Sequence, residues 1–215
     1  MPPKSEEKKR RILEATESLF RQALEHDVTI EDIARIAQVS KGTIYLYFPD
    51  KDELFFQAEV YRMNTIVQRL QHEITGKIAF RLKLRMTLER LNDFFQDRIP
   101  ILAPRKWMLG PQNEEGDRRR EKWRIARGIL VNYLASIMQQ GIDEQALRPD
   151  IDPKVAARHL IVVMRSRRFE FITEPDLRPS LDDTLQLFLF GIAHVSAQPA
   201  EIDAAALEIA QLRAS

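Results

Sequence analysis

No cysteine occurs among the 215 residues. That absence excludes a disulfide scaffold, a thiolate metal site and a cysteine nucleophile, and it fits a reducing cytosol. Glycine is scarce as well. The whole chain holds 7, too few for the turns of an all-β fold, whereas 44% hydrophobic and 30% charged residues suit long amphipathic helices. Long apolar runs are missing: the longest, such as Leu160-Ile161-Val162-Val163-Met164, fall far short of a bilayer span, and Met1-Pro2-Pro3-Lys4 leads into charge rather than an apolar signal core. No membrane partner is expected, and the cytoplasm is the expected location. Catalytic constellations are also lacking. His26, His72, His159 and His194 are scattered, no Gly-rich phosphate loop exists, and the Glu114-Glu115 pair lies in a polar stretch with nothing to raise a pKa. An enzyme is not expected, and neither a metal nor another cofactor is implied.

What the chain does contain is helical periodicity punctuated by caps. From Glu6 to Leu24 the apolar residues Ile12, Ala15, Leu19, Phe20 and Ala23 recur at three or four residues, the pattern of an amphipathic helix. Thr29-Ile30-Glu31-Asp32 reads as a capping box opening a second helix, with Ile33, Ala34, Ile36 and Ala37 at helical spacing. That helix ends near Gln38-Val39, where Ser40 caps a third, so two short helices share a joint of two or three residues in a helix-turn-helix arrangement. Pro49 ends the third by pushing Phe48 out of the α region, and Asp50, with Glu53 three residues on, caps a fourth helix reaching about Glu73. Further helices are predicted over about 78–98, a proline-interrupted piece at 100–110, then 117–140, 153–173, 180–197 and a tail at 201–213. Residues 111–117 read as an exposed loop. The predicted class is all-α, with an N-terminal helix-turn-helix domain over 1–52 and a C-terminal helical domain over 53–215.

One stretch resists its own propensities. Thr43-Ile44-Tyr45-Leu46-Tyr47-Phe48 is rich in β-branched and aromatic residues, yet helices flank it. Drawn as a helix, it sends Ile44 and Phe48 to one side and Gly42, Thr43, Tyr45 and Leu46 to the other. That outward face suits a DNA groove: glycine permits close backbone approach, hydroxyls can bond phosphates or base edges, and an apolar side chain can meet a thymine methyl. Lys41 and Lys51 can grip phosphates on either side, the latter aided by free helix N–H groups. Tyr47 lies nearer the buried face and either packs or contacts DNA. The first 51 residues carry nine Lys or Arg and nine Asp or Glu, so DNA binding requires charge sorted by face rather than an average excess. Glu6, Glu7, Glu14, Glu17 and Glu25 are expected mostly to face away from DNA. The basic tail from Lys4 to Arg11 either reaches DNA or stays solvated.

The segment "TIEDIARIAQVSKGTIYLYFPDKDELF", residues 29–55, closely resembles the DNA-binding signature of TetR-type (TetR/AcrR family) transcriptional repressors. The resemblance covers about residues 8–60; beyond it only the helical plan matches. It implies a dimeric regulator that binds a double-stranded, palindromic DNA operator and responds to a small-molecule effector. Contacts to DNA are implied for Thr29, Ser40, Lys41, Gly42, Thr43, Tyr45, Leu46, Tyr47 and Lys51. Two positions depart from the family pattern. Gln38 stands where glycine is usual in the turn, implying a strained backbone or a longer second helix, and Glu31 is acidic at a position close to the phosphates. A helix-turn-helix protein without small-molecule response, either a constitutive DNA binder or an interaction module, is the alternative.

The C-terminal half supplies the partner surface and the pocket. Residues 153–197 carry apolar side chains on more than one face, as in "HLIVVM" and "LQLFLFGIAHV", which is more than one core needs, and Gly191 allows close helix approach. A homodimer through these two helices, pairing as a four-helix bundle, is expected. Phe94, Phe95, Trp107, Met108, Trp123 and Tyr133, around a proline-broken helix, mark a candidate effector cavity. Arg167 shares a helix face with Leu160, Val163, Met164 and Phe171, so it either pairs with an acid across the interface or meets an anionic ligand.

Overall fold

A computed structural model of the chain describes residues 4–20, 27–96, 112–169 and 175–192. Every regular element among them is helical, as expected: α1 (Lys4–Phe20), α2 (Ile30–Ala37), α3 (Lys41–Tyr47), α4 (Lys51–Glu73), α5 (Phe80–Gln96), α6 (Glu114–Asp143), α7 (Pro153–Phe169) and α8 (Leu181–Ile192), with a 3-10 turn at Pro175–Leu177. The helices expected at 100–110 and 201–213, and the ends of those at 6–24, 78–98, 153–173 and 180–197, lie outside the described residues. None of the described helices is long and apolar enough to cross a membrane.

The chain forms two compact units, residues 1–66 with 96–128, and residues 67–95 with 129–215. In the first, the apolar stripe of α1 supplies Ile12, Ala15 and Phe20, which are buried along with Ile33 and Ala37 of α2 and Leu54, Phe55 and Phe56 of α4. Phe20 meets Phe55 edge to face with ring centroids 4.8 Å apart, a favoured aromatic geometry. Each isoleucine, leucine or phenylalanine side chain withdrawn from water here contributes about 1.5–3 kcal/mol. The α1 acids divide in the way the stripe requires: Glu14 bonds Arg10 and the Tyr61 hydroxyl, and Glu17 is buried, while Glu6 and Glu7 are exposed. The polar stretch expected as a loop is shorter than the sequence suggested. Asn113 accepts a hydrogen bond from the Gly116 N–H (2.9 Å), so Glu114, Glu115 and Asp117 form the first turn of α6, where acids suit the helix dipole.

In the second unit α5 buries Phe80, Leu84, Leu88 and Leu91 at helical spacing, and α6, α7 and α8 bury Leu130, Leu134, Ile137, Leu160, Met164, Phe188 and Leu189. Gly141 has a packing reason. A Cβ there would stand 2.8 Å from the Phe80 ring and 2.9 Å from Leu147, so no other residue lets α6 approach this closely. Caps close the joints: Asp152 accepts from the Lys154 and Val155 N–H groups ahead of Pro153, and Ser180 and Asp183 form a reciprocal box at the start of α8.

Candidate nucleic-acid interface

The site is built from three short-range decisions. The first is the start of α2, where the Thr29 hydroxyl accepts from the Asp32 N–H (3.1 Å) and donates to the Asp32 carboxylate (2.5 Å). Asp32 also takes a hydrogen bond from Arg35 (2.8 Å), and these two bonds, Thr29 first, hold its carboxyl below the ordinary 3.8. The second is the turn. Gln38 adopts the left-handed conformation (φ 54°, ψ 49°), so of the two outcomes its presence implied, the strained backbone is the one realised. Its N–H reaches Arg35 O (3.3 Å) and the Val39 N–H reaches Ala34 O (3.0 Å), the two bonds of a Schellman motif. Arg11 of α1 donates to Ala37 O (2.5 Å) and Gln38 O (3.5 Å), placing a cation on the negative end of α2 and holding the turn from behind. By sequence Arg11 belongs to the basic tail; its partner lies 26 residues away, beyond any local signal.

The third decision is α3 itself. Ser40 accepts from the Thr43 N–H (3.1 Å), and its hydroxyl meets that of Thr43 at 2.9 Å. The strand-like hexapeptide becomes two turns of helix because caps close both ends and its neighbours hold it. Phe48 then leaves the helix in extended conformation (φ −135°, ψ 116°) ahead of Pro49, and the Asp50 carboxylate takes the Glu53 N–H at 2.7 Å to start α4. Ile44 and Phe48 are buried, whereas Leu46 is 84% and Tyr45 51% exposed; Gly42 is exposed, and Thr43 and Tyr47 are half-buried. A Cβ on Gly42 would meet only Ser40 Oγ at 3.8 Å. Nothing inside the protein therefore requires a glycine there. Ile36, counted as apolar spacing in α2, is 40% exposed.

Charge is distributed differently from the expected phosphate grip. Lys41 forms an ion pair with Glu31, both side chains exposed, and that hydrogen bond holds the Glu31 carboxyl below its ordinary 4.5. Lys51 lies over the Phe55 ring, 5.0 Å from its centroid. Of the residues expected around an effector, Phe94 and Trp123 are buried and Tyr133 is half-buried, its hydroxyl raised above the ordinary phenol value by burial. Phe94, Tyr133 and Arg167 belong to the second unit and Trp123 to the first. Arg167 donates to Asn92 Oδ1 (2.8 Å) and lines a half-open cleft of about 480 Å³ beside α7 and α8, with His159, Val163, Leu187 and Phe188. Trp107, Met108 and Phe171, and the side chain of Phe95, lie outside the described residues. No group of three or more His, Cys, Asp or Glu able to hold a metal is found among the described residues.

A capped helix, a tight left-handed turn and a second helix with an apolar back and a hydroxyl, glycine and leucine front constitute a helix-turn-helix DNA-binding domain. The sequence profile of the bacterial regulatory proteins, tetR family, matches residues 12–58. The "Fatty acid metabolism regulator protein" of Bacillus subtilis (strain 168) is 24% identical over 145 residues, 67% of this chain and 73% of that one. Among solved structures, the transcriptional regulator FadR from Bacillus subtilis in complex with stearoyl-CoA shares the fold with a TM-score of 0.58 at 20% identity, over 83% of this chain and 92% of that one. The triclosan complex of SmeT, the repressor of a Stenotrophomonas maltophilia efflux pump, shares it with a TM-score of 0.56 at 20% identity, over 88% and 93%. Residues 12–58 thus carry the helix-turn-helix DNA-binding domain of the bacterial regulatory proteins, tetR family.

Proposed function

We propose that the protein is a ligand-responsive repressor that binds a palindromic operator as a homodimer. Residues 1–52 form its reading head, and residues 53–215 bind the effector and pair through 153–197. The observation that carries the DNA assignment is the outward face of α3, where Leu46 stands in water with no structural reason while Ile44 and Phe48 anchor the helix behind it. Thr43, Tyr45 and Leu46 read base edges, Gly42 permits the approach, and Thr29, Ser40, Lys41, Tyr47 and Lys51 meet the backbone. One such helix spans only a few base pairs, so specificity requires a second copy about one helical turn away, roughly 34 Å. Support for the pairing surface comes from Val155 and Val162 on α7 and Leu187 and Phe190 on α8, all more than half exposed.

Effector response is supported by relatives of like fold that hold stearoyl-CoA and triclosan. Ligand binding favours a state whose recognition helices no longer match the groove, a coupling of about 1–3 kcal/mol, with α4 as the lever because it begins at Lys51. The test starts with genomic fragments selected on the protein. On the fragment recovered, Lys51→Ala weakens binding to all sequences and flattens the dependence of log K on log salt by about one unit, whereas Thr43→Ala and Leu46→Ala change sequence preference. Equal losses on every duplex from all three variants would overturn the assigned roles. A ligand that binds tightly while operator affinity stays unchanged would overturn the lever.

A further inference from the structure

The first turn of α4 is held by a residue far away in the sequence. The Glu53 N–H closes the Asp50 cap, but its carboxylate is turned elsewhere: Oε1 accepts from Gln57 Nε2 (2.7 Å) and Oε2 accepts from Arg119 Nε (3.0 Å). Arg119 belongs to α6, outside residues 12–58 that match the family profile, and its Nη2 donates to Glu115 Oε1 at 2.7 Å. The guanidinium also sits over the Phe56 ring, 6.0 Å from the centroid. The Arg119 and Glu53 side chains are only 17% and 13% exposed, so water and salt screen this contact far less than the surface pairs around it. A planar fork that spans two carboxylates and lies on an aromatic face is a task lysine cannot perform.

We propose that Arg119 is a positioning residue for operator binding. By fixing Glu53 it sets the first turn of α4, and with it Lys51, two residues earlier, in the place where its ammonium and the free N–H groups of that turn meet a phosphate. The reading head thus includes the first turns of α6. The inference rests on the DNA-binding reading above and assigns part of that site to a segment the helix-turn-helix signature does not contain.

A double-mutant cycle on the full-length protein tests it, using the selected operator fragment and a scrambled duplex of equal length. Arg119→Gln is expected to weaken operator binding by about tenfold at most, the size of one charge-assisted hydrogen bond, and to flatten the salt dependence by the same one unit as Lys51→Ala. In the Lys51→Ala background Arg119→Gln then changes affinity by less than about twofold. Glu53→Gln, which keeps the side-chain shape, reproduces the salt effect, and Arg119→Lys restores only part of the affinity. Should Arg119→Gln fold poorly, Glu53→Gln in both backgrounds decides the matter in the same way. Losses that multiply in the double variant, or an unchanged salt slope for Arg119→Gln and Glu53→Gln, would overturn the positioning role. Wild-type protein that shows no preference for the selected fragment, or that is insensitive to Lys51→Ala, would instead sink the DNA reading itself.

Discussion

Among the helices that hold large apolar side chains in water, α3 and α8 do so next to charges of opposite sign along the chain. On α3, Leu46 (84% exposed) and Tyr45 stand between Lys41 and Lys51 and beside the hydroxyls of Ser40 and Thr43. On α8, Leu187 (72%) and Phe190 (62%) follow two acids, Asp182 and Asp183, and the helix has no base in its last turn. Exposed hydrophobic area alone does not separate the two. What separates them is the neighbourhood: cations and hydroxyls around a small apolar tip match a polyanion with methyl groups in its groove, whereas acid-led apolar faces at helical spacing match a second protein surface.

The strongest way to break this contrast is to charge α8. Phe190→Arg is expected to weaken self-association by about 2–4 kcal/mol, because an unpaired guanidinium would be buried at a central contact. Folding should be unaffected, since the side chain is already in water. Sedimentation equilibrium reads the change, and an unaltered dimer would remove α8 from the interface. Next in size is Leu46→Ala, expected to cost about 1–2 kcal/mol on the operator and almost nothing on scrambled DNA, with an unchanged melting temperature; fluorescence anisotropy on both duplexes sharpens the assignment of α3 to base reading.

A smaller effect comes from the turn that aims α3. Gln38 holds φ at 54°, a conformation that costs a side-chain-bearing residue about 1 kcal/mol, so Gln38→Gly is expected to raise the melting temperature by about 1–4 °C. The smallest concerns the caps, where α2 and α8 behave alike despite their different surfaces. Asp32 is held below its ordinary 3.8 first by Thr29, and Asp183 likewise by Ser180. A depressed carboxyl contributes stability above its unfolded value and loses it as pH falls through the folded one, so both caps are expected to weaken below about pH 4. Both lie at the surface, and Thr29→Ala and Ser180→Ala should each slightly flatten the acid limb of a stability-versus-pH curve measured by urea unfolding.

The legible part of the structure is the part written in short words. Thr29 with Asp32, Ser40 with Thr43, Pro49 after Phe48, and Asp50 with Glu53 all act within three residues, and each appears where capping chemistry puts it. The same rules extend to Asn113 and the acids after it, where polarity alone suggests a loop but their order makes the first turn of a helix. Contacts spanning long separations were not legible. Arg11 to the α2 terminus, Arg119 to Glu53 and Arg85 to Asp182 join residues 26, 66 and 97 positions apart. In each case many acids or carbonyls were available and only the packing of helices selects one. Arg167 shows the limit well: its wheel position points to an acid across the interface or an anionic ligand, and nothing near it in the chain points to the amide of Asn92, 75 residues earlier.

The Glu31–Lys41 pair bears on how such a protein would search a genome. A lysine already matched to a carboxylate gains little by touching an arbitrary phosphate, because each new contact breaks an old one of similar worth. Against about a million or more competing sites, that makes wrong stops brief and leaves more molecules in transit toward the right one.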